Sequence, residues 1–301
     1  MSRQWAVGSR QEKKRVRGFV HRQRPTANRQ LPLKSAFIHT LLVVGAIVTI
    51  IPLLWMLSAS FMPAGEATAF PPRLLPSHVT FEHYSALFTR LNLGRSFFNS
   101  MVIAVSATLF SLLFNSMAGY AFAKLRFRGR DRIFSLLIAG LAIPAQVAML
   151  PLFLMLKSIG MVNTYMGAIL PSMATIYGIF LVRQFMISLP DEIIAAARID
   201  GASELRIYWS IILPLARPVL ATLAIFTFMS AWNDFMWPLI ILTDGDKYTL
   251  PVAVANLVGE HSQDLELMMA SSVLTVVPVL LLFFVLQKQY IAGMTAGSVK
   301  G

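Results

Sequence analysis

AFIHTLLVVGAIVTIIPLLWML, residues 36–57, runs for 22 residues without one Asp, Glu, Lys or Arg. A helix of that length reaches about 33 Å, enough to cross the ~30 Å hydrocarbon core of a bilayer. The apolar residues are consecutive instead of alternating, which favours a helix over a barrel strand. A secretory signal also has basic residues ahead of an apolar run, and Ser58-Ala59-Ser60 offers small residues for cleavage. Its apolar core, however, is only about 7–15 residues long. The stretch is read as an uncleaved membrane span.

Working outward, five further stretches of similar character follow. The six spans run over Ser35–Ser60, Phe97–Ala123, Ile133–Lys157, Thr164–Met186, Pro218–Leu242 and Glu266–Gln287. The fifth contains Asp234, which costs about 2.5–3.5 kcal/mol at a helix centre. Its many Val, Leu, Ile and Phe residues, at roughly −0.3 to −0.6 kcal/mol each, outweigh that. Composition agrees: 56% of the 301 residues are apolar and 13% charged, with mean hydropathy +0.65, whereas soluble domains carry about 25% charge. The expected fold class is an all-α membrane protein of six transmembrane helices. There is no Cys, so disulfides, thiolate metal sites and cysteine nucleophiles are excluded.

The net charge of +12 is a topology signal. Of 26 Lys and Arg, 21 fall in residues 1–34, the 124–132 loop, residues 183–217 and the C-terminal tail, all on one side of the six spans. By the positive-inside rule that side is cytoplasmic, with both termini there. The charge is therefore no nucleic-acid footprint, and no nucleic-acid partner is expected. Residues 1–34 lack apolar periodicity and read as a disordered basic arm near anionic membrane lipid. The outer segment Thr243–Asp264 is acidic, as a docking surface or a plain solvated loop. The tail Gly293–Gly301 is small and Gly-rich, and by default disordered.

One cytoplasmic segment, residues 190–214, is too polar to span and too apolar for a loose linker. Pro190 and Asp191 open a helix, Glu192 adds an acid near its positive end, and Ala195, Ala196 and Ala197 give a small-residue face. Asp200-Gly201 is a turn signal, followed by Ala202. Glu204–Leu213 reads as a second short helix closed by Pro214. Such a pair either joins two spans at the interface or forms a knob for a soluble partner. The physics leaves both open.

Here the sequence resembles the permease subunits of bacterial ATP-binding-cassette importers. Their cytoplasmic motif is Glu-Ala-Ala, three residues, Gly, nine residues, Ile-x-Leu-Pro. The spacing is matched by Ala196-Ala197, Gly201, Ile211 and Leu213-Pro214, with Ala195 where the motif has Glu. Asp200-Gly201-Ala202 matches the usual extension. Trp232-Asn-Asp-Phe-Met-Trp-Pro-Leu239 and the ending Gln287–Gly301 are similar to the carbohydrate branch, and six spans resemble the shorter maltose-type permease. The resemblance covers residues 35–301 and implies that 190–214 is a coupling helix segment inserting into an ATPase subunit. Glu192, one turn earlier, is a candidate to stand in for the missing Glu. It further implies two ATPase subunits that bind ATP and magnesium, a second permease, an extracytoplasmic binding protein, a bacterial inner-membrane location, and a sugar as substrate. A di- or oligosaccharide is favoured over glycerol-3-phosphate or another polyol derivative, because the span interiors offer no Lys or Arg for a phosphate. The tail is then expected to reach the ATPase interface.

The chain itself has no Gly-x4-Gly-Lys-Ser/Thr loop to cradle ATP phosphates, no His-Glu-x-x-His, no Gly-x-Ser-x-Gly and no clustered metal ligands. It reads as a non-enzymatic subunit without cofactor or metal. Polar residues inside spans point to a pathway or to interhelical glue. Asn115 and Gln146 are pathway or glue; Asn233 and Asp234 are the leading pathway pair, with an ion pair or capping hydrogen bond at the helix's outer end as the other reading of Asp234; Trp232 is either a sugar-stacking platform or an interface anchor. A secondary transporter driven by an ion gradient is the distant alternative, weakened by a single intramembrane acid and no internal repeat.

Overall fold

The computed structural model describes residues 32–71, 73–89, 92–260 and 264–296. Most of the basic arm and the last five residues therefore lie outside it. The described chain is helical, without a strand among the described residues. Contacts divide it into two units, residues 1–53 and 54–301. In the first, α1 (Pro32–Ala59) begins, three residues before the boundary drawn from the sequence. Thr49 turns its hydroxyl back onto the carbonyls of Gly45 and Ala46, which hides a polar group that lipid cannot satisfy.

In the second unit, α2 (Glu82–Thr89) precedes α3 (Leu93–Lys124). At 32 residues, α3 is about 48 Å long and the central strut. Its buried face carries Ser96, Ser100, Ile103, Ala104, Ala107, Ser111, Asn115, Gly119 and Tyr120, mostly small residues at helical spacing. Small residues let backbones approach, which drives helix association where no hydrophobic effect operates. A Cβ on Gly119 would lie 2.7 Å from Val182 Cγ1, and one on Gly178 2.6 Å from Asn115 Nδ2. Both contacts press α3 against α7 (Ile176–Ile187).

Three helices are long and apolar enough to cross a membrane, Ser35–Ala59, Leu93–Lys124 and Leu265–Phe284. Three bent pairs raise the number to six if each is one span: Arg130–Ala142 with Ala145–Ser158, Tyr165–Ser172 with Ile176–Ile187, and Glu204–Leu215 with Arg217–Trp232. The third expected span, Ile133–Lys157, is thus α4 (Arg130–Ala139) and α5 (Ala145–Ser158) meeting at 107°. The break falls at Pro144, whereas Pro151 lies inside α5. The fourth is α6 (Tyr165–Ile169) and α7, bent by 42°.

Two expectations need correction. Pro218–Leu242 is not one helix: α10 (Arg217–Trp232) stops, Asn233–Phe235 interrupts, and α11 (Met236–Ile241) follows. Asp234 Oδ1 accepts the Trp237 N–H at 3.3 Å, so its carboxylate serves the start of α11 instead of sitting at a helix centre. The outer segment is not a plain loop either, because α12 (Leu250–Glu260) is a helix. Residues 261–263 lie outside the described residues. The last helix, α13 (Leu265–Ala296), carries helical backbone through Gly293–Ala296 of the tail.

Candidate functional site

Between the fourth and fifth apolar segments lie α8 (Asp191–Ile199) and α9 (Glu204–Leu215). Pro190 precedes α8, with Asp191 and Glu192 in its first turn and Arg198 in its last, matching the helix dipole at both ends. Gly201 adopts φ +78° and turns the chain, a conformation only Gly holds without Cβ strain. Ser203 then caps α9 by accepting the Arg206 N–H. Pro214 does not close this helix, which continues to Leu215. A π-turn over Tyr208–Ile212 widens the backbone just before it, and such a turn moves the carbonyl that a proline ring would strike.

The pair is bound into the bundle on one side. Ile194 and Ala197 of α8 and Ile207, Tyr208 and Ile212 of α9 join Tyr120, Val182, Met186, Ala216, Val219 and Leu223 in one buried cluster. Ala197 therefore faces the chain's own core, while Glu192, Ala195, Ala196 and Asp200 are exposed. Gly201 and Pro214 are exposed too, with Ala202, Ile211 and Leu213 half-buried. The outer surface also shows the large apolar side chains of Ile199 at 86%, Leu205 at 65% and Trp209 at 51% exposure. Ala195 opens onto a groove of about 860 Å³ shared with Lys124, Arg126, Arg130, Asp191, Arg198 and Glu204.

Polar ties complete the anchoring. Lys124 Nζ, with its side chain 4% exposed, donates to Asp191 Oδ1 at 2.5 Å and to Leu189 O at 2.6 Å. That hydrogen bond holds the Asp191 carboxyl below its ordinary range. Arg198 Nε donates to Glu204 Oε1 at 2.7 Å and Tyr120 Oη to Glu204 Oε2 at 2.8 Å. The Arg198 hydrogen bond, against partial burial, keeps the Glu204 carboxyl below the usual glutamate range. Ser116 and Tyr208 share a hydrogen bond of 2.6 Å. Sequence reasoning missed Ser116, Tyr120, Lys124 and Tyr208. Arg198 and Glu204, opposite charges flanking the Gly turn, were the one legible hint.

The polar residues of the spans do not come together. Asn115 is fully buried: Nδ2 donates to Ser111 Oγ at 2.6 Å, and Oδ1 accepts the Thr175 N–H at 2.9 Å. Ser111 in turn meets Thr227 of α10 at 3.1 Å, so the amide binds α3 to the broken start of α7. Trp232 is 0% exposed, stacked on Phe228, edge-on to Phe97, with Nε1 donating to Thr275 O. Asn233 is exposed and bonds Met229 O in its own helix. Gln146 is exposed near the start of α5, and Asp234 is half-buried.

The opposite end of α3 is knit by asparagines. Asn99 donates to the carbonyls of Asp246 and Tyr248 and accepts from Tyr165 Oη. Asn163 accepts the N–H groups of Thr243 and Asp244. Glu266 is buried, accepting the Ala67 N–H at 2.8 Å, and Asp264 caps α13 at the Leu267 N–H. These two acids serve the chain's own fold. No group of three or more potential metal ligands occurs among the described residues.

Apolar helices, several of them broken, thus pack around a long strut with a short helix pair bound to its end, the build of a membrane-embedded protein. The chain belongs to the family described as binding-protein-dependent transport system inner membrane component, whose model matches residues 115–295. It is 39% identical to the arabinooligosaccharides transport system permease protein AraQ of Halalkalibacterium halodurans, over 89% of this chain and 98% of that protein. Identity to the diacetylchitobiose uptake system permease protein NgcG of Streptomyces coelicolor is 36%, over 88% and 89%. A chain from the crystal structure of a bacterial ABC transporter involved in import of the acidic polysaccharide alginate superposes with TM-score 0.78 at 26% identity, covering 88% of this chain and 99% of that one.

Proposed function

We propose that the chain is one of two permease subunits of an ATP-driven importer for a neutral di- or oligosaccharide, with six spans and both termini in the cytoplasm. Residues 190–214 are its coupling segment, docking through Glu192, Ala195, Ala196, Asp200, Gly201, Ala202 and the exposed apolar residues between them. Ala197, with half-buried Ile211 and Leu213, holds the segment's shape from beneath, and exposed Pro214 lies near its end. ATP and magnesium bind on two partner ATPase subunits, and an extracytoplasmic binding protein delivers the sugar.

One observation carries this reading: a short helix pair rigidly held on one side and apolar on the other. A lipid-facing linker would have no need of three polar ties to a span. Closure of the ATPase pair displaces the segment, and the spans tied to it rock between inward- and outward-facing arrangements. Sugar is favoured by the relatives' substrates, arabinooligosaccharides and diacetylchitobiose among them. A phosphorylated substrate finds little support, since Arg183, the cation of α7, is engaged by Phe122 O at 3.3 Å and lies over the Phe134 ring at 3.9 Å.

The test is a mild-detergent pull-down of the tagged chain from its host, with every co-purifying chain identified. An ATPase subunit and a second permease are expected. A chain that comes down alone and transports by itself in liposomes overturns the importer reading.

A further inference from the structure

Ser116, Tyr120 and Lys124 are spaced four residues apart and so share one stripe of α3. Each grips a different point of the cytoplasmic pair. Ser116 meets Tyr208 at 2.6 Å, Tyr120 meets Glu204 at 2.8 Å, and Lys124 meets Asp191 at 2.5 Å. The ties form a three-runged polar ladder along the last turns of the central strut. The middle rung differs from its neighbours, because Glu204 uses its second oxygen to accept from Arg198 of α8. One carboxylate thus joins α8, α9 and α3.

We propose that Glu204 is the positioning residue of this ladder, locking the cytoplasmic helix pair and α3 into one body so that displacement of the pair becomes displacement of the span. The proposal rests on the importer reading above. The apolar cluster beneath the pair, Ile194, Ala197, Ile207 and Ile212 among others, gives adhesion, but apolar contact is non-directional and allows sliding. Charge-assisted hydrogen bonds are short and angular, so they set orientation as well as distance. Arg198–Glu204 also ties the two arms across the Gly201 turn by side chains, where the backbone bonds of Gly201 and Ala202 to Arg198 O and Ala197 O close the turn itself. Without Glu204, the side-chain tie from α8 through α9 to α3 is lost, and motion delivered to α8 is absorbed before it reaches α3.

The experiment uses the whole complex co-purified with the tagged chain and reconstituted into liposomes, reading ATP hydrolysed per sugar imported. Tyr120→Phe removes one oxygen and leaves the ring packing, so it keeps the test open should Glu204→Gln fail to assemble. The expected result is a rise in ATP per sugar of roughly tenfold in Glu204→Gln, a smaller rise in Tyr120→Phe, and a double variant no worse than Glu204→Gln, as for residues acting through one network. An unchanged ratio in both assembled single variants overturns the proposal. So does a smaller yield of complex at the wild-type ratio, the signature of a merely stabilising contact. A wild-type complex that imports without hydrolysing ATP overturns the importer reading itself, and the latch with it.

Discussion

Gly201 turns the chain at φ +78° with nothing within 4 Å of the position a Cβ would take. A substitution there meets no steric clash, and its whole cost, about 1–2 kcal/mol for an ordinary side chain, is backbone strain. The predicted order of damage is therefore set by tolerance of the left-handed region, with Asn mildest, then Ala, then Val. Gly201→Val is expected to insert normally in the membrane and to lose severalfold in sugar taken up per ATP, checked by surface labelling and by transport in the reconstituted complex. Unchanged uptake in that variant contradicts the coupling role of the segment. The turn itself was legible from Asp200-Gly201. Its latch was not: Glu204 and Tyr120 stand 84 residues apart in the chain, and nothing local to either announces the other.

At the scale of elements, the breaks matter more than the helices. Asn115 accepts the Thr175 N–H, one of the donors left without a helical partner where α7 restarts. In lipid no water can take its place. Asn115→Ala is predicted to cost about 1–3 kcal/mol through that orphaned group, seen as a lower unfolding temperature in detergent with sugar affinity unchanged. An altered apparent affinity at an unchanged unfolding temperature would place Asn115 on the pathway instead. The positions of the apolar segments could be read from the sequence because continuous apolar runs leave few alternatives. The breaks were legible only in part: Pro144 and Pro151 bracket a stretch of the third segment that reads as kinked, and Trp237-Pro238 hints at a break in the fifth, but neither says where the helix stops. Pro52, Pro151 and Pro278 lie inside continuous helices while Pro144 marks a turn of 107°. Which proline breaks a helix depends on whether neighbouring helices re-satisfy the freed carbonyl, and sequence alone does not place those neighbours. Asn233–Phe235 interrupts the fifth segment for a related reason: Asp234 gives the chain a carboxylate that can restart a helix at Trp237.

At the scale of the molecule, charge and chemistry divide between two faces. One end carries the 124–132 loop and the helix pair, joined through α3 to a bundle whose middle is held by Asn115, Ser111 and Thr227. The opposite end is stitched by Asn99, Asn163 and Glu266. Between them α3 and α7 pack closely through Gly119 and Gly178. Under the proposed function, such a build passes on force applied at the helix pair. The measurement that tests the account most directly is uptake of a labelled neutral oligosaccharide by the co-purified complex in sealed liposomes, supplied with binding protein outside and ATP inside. Uptake that requires internal ATP and stops when ATP is replaced by a non-hydrolysable analogue is the predicted result. Uptake by the purified chain alone, without ATP and driven by an ion gradient, would contradict it.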